Sequence, residues 1–206
     1  MVFIETGIKN NFDDIKILAK KENGKIIHIP ALEVLPLPFQ IPSENFDAFF
    51  FGSSRAVFYS LTKIKPILKT NKNISLLAVG QKTAKALEKE SFRCHYFNED
   101  NSGAFDLLKK IEEMHKGVFP FQKILWISAR ETAIHLKETS SFFKTEIVHL
   151  PVYKTIPSKN LERSLSGITE TRHFFIRSGK GMQAIKPYLK QTDTLSLTTE
   201  SAKKHF

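Results

Sequence analysis

Four short turns hold the residues of this sequence that could do chemistry. They are Gly52-Ser53-Ser54-Arg55, Gly80-Gln81-Lys82-Thr83, Arg177-Ser178-Gly179-Lys180 and Thr198-Thr199-Glu200. Each follows an apolar run and leads into a helical pattern. A turn of this kind presents backbone N–H groups and a hydroxyl at a helix N-terminus, where the helix dipole favours negative charge. It suits capture of a carboxylate or a phosphate. N-capping by the same Ser or Thr is the plainer use of such a residue and stands beside the first. The turns also echo one another. Phe49 to Val57 lies on Phe174 to Met182, and Val79 to Ala84 lies on Leu195 to Glu200, so the four make two matching pairs.

Other chemistries lack their residues. There is no GxGxxG after a strand, no GxxxxGK[ST] and no GxSxG elbow. The seven histidines (28, 95, 115, 135, 149, 173 and 205) show neither HxH nor HExxH spacing, so no metal site is expected. Cys94 sits in an apolar run and reads as core. An enzyme built from these residues would work by binding, orientation and hydrogen bonding.

The elements that must position the turns alternate strand-like and helix-like patterns. Strands are expected at 2–4, 25–29, 47–51, 74–79, 92–97, 124–127, 146–150, 173–176 and 194–197. Helices are expected at 12–20 (closed by Asn23-Gly24), from Ala56, from Ala84, over 105–111, 131–138, 159–165 and 181–189, with a last one starting after Thr199. Asp47 to Phe51 (DAFFF) is continuously apolar after its first residue, as a parallel strand covered on both faces must be. Proline-rich stretches at 30–38 and 151–157 cannot be helical and read as extended connectors. They bracket a central block of about five βα units. The expected architecture is therefore two α/β lobes with parallel sheets. Residues 38–154 are inserted into an outer lobe of 1–37 plus 155–206, and the two connectors pair as a ladder. The expected ligand site is the cleft between the lobes, outside the carboxyl ends of the strands.

Composition narrows the partners. Thirty-one Lys and Arg against 21 Asp and Glu give a net charge of +10, which draws anions. The lysines are dispersed, and no helix-turn-helix, RNP-type strand or zinc-finger spacing accompanies them, so nucleic acid is not the expected partner. No apolar run approaches the ~18–20 residues of a membrane span, and the N-terminus has no signal-peptide pattern. A single cysteine excludes an internal disulfide, and the expected compartment is the cytoplasm.

Taken in order, these segments resemble the uroporphyrinogen-III synthase family, from about Ile26 to Ala202. Phe51-Gly52-Ser53-Ser54-Arg55-Ala56-Val57 is similar to the family's FTSxxAV turn. Val79-Gly80-Gln81-Lys82-Thr83-Ala84-Lys85-Ala86-Leu87 is similar to its VGxxTAxAL, and Val152-Tyr153-Lys154-Thr155 to its VYxT. Ile176-Arg177-Ser178 and Thr198-Thr199 fall where its second pair of turns is expected. The resemblance implies two flavodoxin-like α/β lobes, one inserted in the other and joined by a two-stranded ladder. It implies a monomeric lyase that closes the linear octacarboxylate hydroxymethylbilane into uroporphyrinogen III. The last ring is inverted, water is lost and no cofactor is used. A contact with hydroxymethylbilane synthase follows as a further implication. By position, Tyr153 would be catalytic, with a hinge-packing tyrosine as the plainer reading. Ser53, Ser54, Arg55, Gly80, Thr83, Ser128, Ser178 and Thr199 would bind substrate, and Arg55 and Arg130 would be charge partners.

The sequence also departs from the family. Glu5-Thr6-Gly7 replaces the usual TRP, Gly52 and Arg177 replace threonines, and Ser196 replaces a glycine. The match ends soon after Thr199, so a smaller outer lobe is expected. A non-catalytic, two-lobed binding protein for an acidic ligand is the alternative reading.

Overall fold

The computed structural model describes residues 1–8, 12–100 and 102–204. The chain divides into two compact units, Met1–Leu35 with Thr155–Phe206, and Pro36–Lys154. In chain order the elements begin with β1 (Val2–Glu5), α1 (Asp13–Lys21), β2 (Lys25–His28), β3 (Leu32–Pro36) and β4 (Ala48–Phe51). They continue through α2 (Ser54–Thr70), β5 (Ser75–Ala78), α3 (Gln81–Glu88), β6 (Tyr96–Phe97), α4 (Ala104–Met114), β7 (Lys123–Ala129), α5 (Leu136–Phe143) and β8 (Glu146–Pro157). They close with α6 (Leu161–Ser166), β9 (Arg172–Ile176), α7 (Gly179–Ile185), β10 (Thr194–Leu197) and α8 (Glu200–Lys203). No helix among the described residues is long and apolar enough to cross a membrane.

The first unit holds a parallel sheet ordered β2-β1-β9-β10. Its strands are covered on both faces. Ile4, Phe174 and Ile176 pack on Leu161, Leu165, Met182 and Ile185. Phe3 and Phe175 pack on Ile15 and Ala19 of α1. That double burial is why VFIE and HFFI are apolar without alternation. A buried ion pair pins the last strand. Arg172 Nε donates to Asp193 Oδ1 at 2.9 Å, and its Nη2 donates to Asp193 Oδ2 and to Tyr188 O.

In the second unit β6-β5-β4-β7-β8 run parallel. Phe50 stacks on Trp126 with ring centroids 4.1 Å apart, against Leu107, Leu108 and Ile111 of α4. The N-terminal strands of both units thus obey one layout, with strand order reversing beside them, at β1/β9 and at β4/β7. The first unit has the flavodoxin order 2-1-3-4 and the second the other doubly wound order, 3-2-1-4-5.

Several elements differ from expectation. Phe92 to Phe97 shortens to two strand residues. The expected helix at 131–138 divides into a 3-10 turn at Arg130–His135 and then α5. The helix expected over 181–189 begins earlier and stops at Ile185, because Pro187 cannot continue an α-helix and turns the chain into 3-10 geometry. Asn23, not Gly24, takes the left-handed conformation after α1 (φ 48°). Gly24 is needed for space instead, since a Cβ there would meet the Phe3 ring at 2.3 Å. The stretch 146–157 forms one continuous strand, not a strand and a separate connector. A proline inside it is tolerated because the ladder slips there. Ser128 faces Pro151 and Ala129 faces Tyr153, leaving Val152 as an extra residue.

Candidate active site

In open parallel sheets ligands bind outside the carboxyl ends of the strands, where strand order reverses. In the second unit that point lies between β4 and β7, and it gathers most of the candidate residues. The chain leaves β4 through Gly52, whose N–H donates to Ile127 O at 2.9 Å. A Cβ on Gly52 would stand 2.9 Å from Ser128 Cβ. The departure from the family's threonine therefore has a packing cause.

Ser53 follows with an extended backbone, and its Oγ accepts from Ala56 N at 3.0 Å, so it caps α2. The same Oγ lies 2.9 Å from the hydroxyl of Tyr153. Capping and site chemistry thus meet in one oxygen. Tyr153 reaches it from β8, buried, because the bulge at Pro151 and Val152 resets its register. The ring of Tyr59, one turn into α2, lies 5.8 Å from that of Tyr153.

Beside this pair is a cavity of about 360 Å³. Ser53, Ser54, Gly80 and Thr83 line it, with Glu99, Asp100 and Ser102 on the far wall. The N-termini of α2 and α3 both open onto it, and neither first turn carries an acidic residue. Their leading N–H groups have no intrahelical acceptor, so this side of the cavity is electropositive. Gly80 is the N-cap residue of α3 and makes no side-chain cap. Thr83 is buried and, among the described residues, its hydroxyl has no hydrogen-bond partner, so capping does not explain it. Across the cavity, the pKa of the Asp100 carboxyl is held at about 2 by hydrogen bonds from Ser102 and from Lys110, whose Nζ lies 3.0 Å away.

Ser128 does not line that cavity. Its Oγ lies 2.9 Å from His149 Nε2, under the Gly52 turn. Burial pushes the His149 ring below its usual range, with a backbone hydrogen bond at Ala129 opposing. His149 also lines a separate recess of about 410 Å³ with Lys137, Ser140 and Ser141. Arg55 is half-buried and Arg130 exposed, and neither lines the cavity at Ser53.

The two remaining turns belong to the first unit. Ser178 Oγ accepts from Gly181 N at 3.1 Å and Thr199 Oγ1 from Ala202 N at 3.1 Å, so both cap. Thr198 donates through its N–H and its hydroxyl to Ile176 O, which sets these turns side by side. At this unit's reversal point Glu5, fully buried, takes hydrogen bonds from Arg177 Nε at 3.0 and 3.1 Å and from Gly7 N at 2.7 Å. The two departures from the family at positions 5 and 177 are therefore one ion pair.

Five contributors escaped the sequence reading. Glu99, Asp100 and Ser102 lie in an irregular stretch with no motif. His149 follows a β8 pattern that reads as plain strand. Tyr59 is a polar-tipped aromatic on a helix face, with nothing in its spacing to mark it. His205 lies outside the described residues.

The geometry can be set beside known proteins. The family model described as uroporphyrinogen-III synthase HemD matches residues 13–192. No curated protein matches the chain. Among solved structures, the uroporphyrinogen-III synthetase of Helicobacter pylori is similar with a TM-score of 0.65 at 18% identity, over 94% of this chain and 81% of that one. A mutant uroporphyrinogen III synthase of the extremely thermophilic bacterium Thermus thermophilus is similar at 0.58 and 16% identity, over 93% of this chain and 78% of that one. At such identities these structures testify to the fold, whereas the family match spans the greater part of the sequence itself. The chain belongs to the uroporphyrinogen-III synthase family.

Proposed function

We propose that this chain closes hydroxymethylbilane into uroporphyrinogen III, inverting the last pyrrole ring and releasing water, as a lyase of tetrapyrrole synthesis. One observation carries the reading: the Tyr153 hydroxyl meets the helix-capping Ser53 hydroxyl at 2.9 Å, at the reversal point of a parallel sheet. Because Ser53 Oγ already accepts from Ala56 N, its own proton can go to the Tyr153 oxygen. The phenol proton is then free to face the substrate. As the terminal carbon–oxygen bond breaks, the hydroxyl takes that proton and leaves as water. The phenolate that remains stabilises the cation on the carbon, and ring closure returns a proton to it. Carboxylates of the substrate suit the open N–H groups of α2 and α3, and the net charge of +10 draws an octacarboxylate.

The test feeds hydroxymethylbilane to the purified protein and resolves the product isomers by chromatography. Isomer III is the expected product. Isomer I alone, from folded protein, overturns the reading, because the substrate closes to isomer I unaided.

A further inference from the structure

The cavity at Ser53 holds about 360 Å³, near the lower end of small-molecule sites. A linear tetrapyrrole with eight carboxylates exceeds it, so most of a bound substrate must lie on the surface around it. Helix α2, which begins at the cavity with Ser54, carries a conspicuous side chain. Phe58 on α2 is 77% exposed, a large apolar ring left in water one turn beyond the Ser53 cap. It is not isolated. Its ring meets that of Tyr59 edge-on at 5.1 Å, and Tyr59 lies 5.8 Å from Tyr153. An unbroken run of three rings therefore leads from solvent to the Ser53–Tyr153 hydroxyl pair.

We propose that Phe58 is a substrate-positioning residue that packs against a pyrrole ring of the substrate and so extends the site outward along the Phe58–Tyr59–Tyr153 run. The proposal rests on the reaction assigned above. Its chemistry is that of aromatic pairs. Offset or edge-on packing at 4.5–7 Å is favourable beyond simple burial, and it tolerates the electron-rich pyrrole. An exposed ring costs the free protein little to order, because two torsions place it. It gains most when a flat partner covers it.

The test compares Phe58→Ala and Phe58→Tyr with the parent chain in two measurements. Steady-state kinetics on hydroxymethylbilane should show KM raised about five- to tenfold in Phe58→Ala, the factor one well-placed aromatic contact carries. In Phe58→Tyr it should stay within about twofold of the parent. The isomer ratio and melting temperature should be unchanged in both, since the side chain supports no core. Fluorescence titration with uroporphyrin III, a ready-closed octacarboxylate, should show the same order of Kd values and needs no turnover. An unchanged KM in Phe58→Ala, with isomer III still made, overturns the role of Phe58 and leaves the function standing. No isomer III from the parent overturns the function, and the titration then decides Phe58 by itself. A parent that dimerises while Phe58→Ala stays monomeric also overturns the proposal, since a second copy would then be what covers the ring.

Discussion

Tyr153 and Ser53 divide a task between two hydroxyls, and substitution separates the parts. Tyr153→Phe removes the proton and keeps the ring against Tyr59. Turnover should fall by about 10²–10⁴, the usual reach of a positioned acid, with circular dichroism and melting temperature unchanged. Gly52 tests packing at the same point. Gly52→Ala sets a Cβ 2.9 Å from Ser128 Cβ, on two backbones that their hydrogen bonds hold in place. The cost should be about 1–3 kcal/mol in denaturant midpoints. It should shrink when Ser128→Gly is combined with it, as a double-mutant cycle would read. His149 contributes a pH dependence. Burial lowers its affinity for protons in the folded chain relative to the ordinary value of 6.5. Its contribution is therefore present above pH 6.5 and is lost as pH falls. His173 is lowered by burial too and acts in the same direction. The melting temperature should decline as pH falls below 6.5, and His149→Gln should flatten that decline without removing it.

The elements explain why these residues meet. Strand β8 carries Tyr153 into place only because Val152 is inserted opposite the Ser128–Ala129 step, and its carbonyl is taken by Leu37 N at 3.0 Å. Such a bulge leaves no mark in a sequence beyond Pro151, so the stretch reads as two pieces. The DAFFF and ILWI runs, by contrast, announce buried parallel strands, because a strand covered on both faces has no polar side to hide them. Turn hydroxyls are legible as anion seats or as caps, and only coordinates separate the two. Ser178 and Thr199 cap, Ser53 both caps and meets Tyr153, and Thr83 does not cap. At the other sheet, β10 depends on Arg172 and Asp193. Asp193→Ala would leave a guanidinium buried without its carboxylate. It should cost about 3–5 kcal/mol in a denaturant titration, whereas exchanging both residues for apolar ones of similar volume should cost much less.

At the scale of the molecule, the order of strands and helices was readable, and so was the family, since motif order survives where each motif is weak. The compensation between Glu5 and Arg177 was not. Two departures 172 residues apart look like separate losses until β1 and β9 lie side by side. That pairing has a further consequence, for synthesis. Strands β4 to β8 come from one continuous stretch and can assemble as they leave the ribosome. Strand β1 emerges first, yet it pairs with β9 in the register Val2 to Arg172. At about 5–20 residues per second, the wait is on the order of ten to thirty seconds. Through it Phe3 and Ile4, both wholly buried in the finished fold, have only β2 and α1 for cover. Met1–Leu35 therefore waits through most of that interval for the cover that β9 supplies.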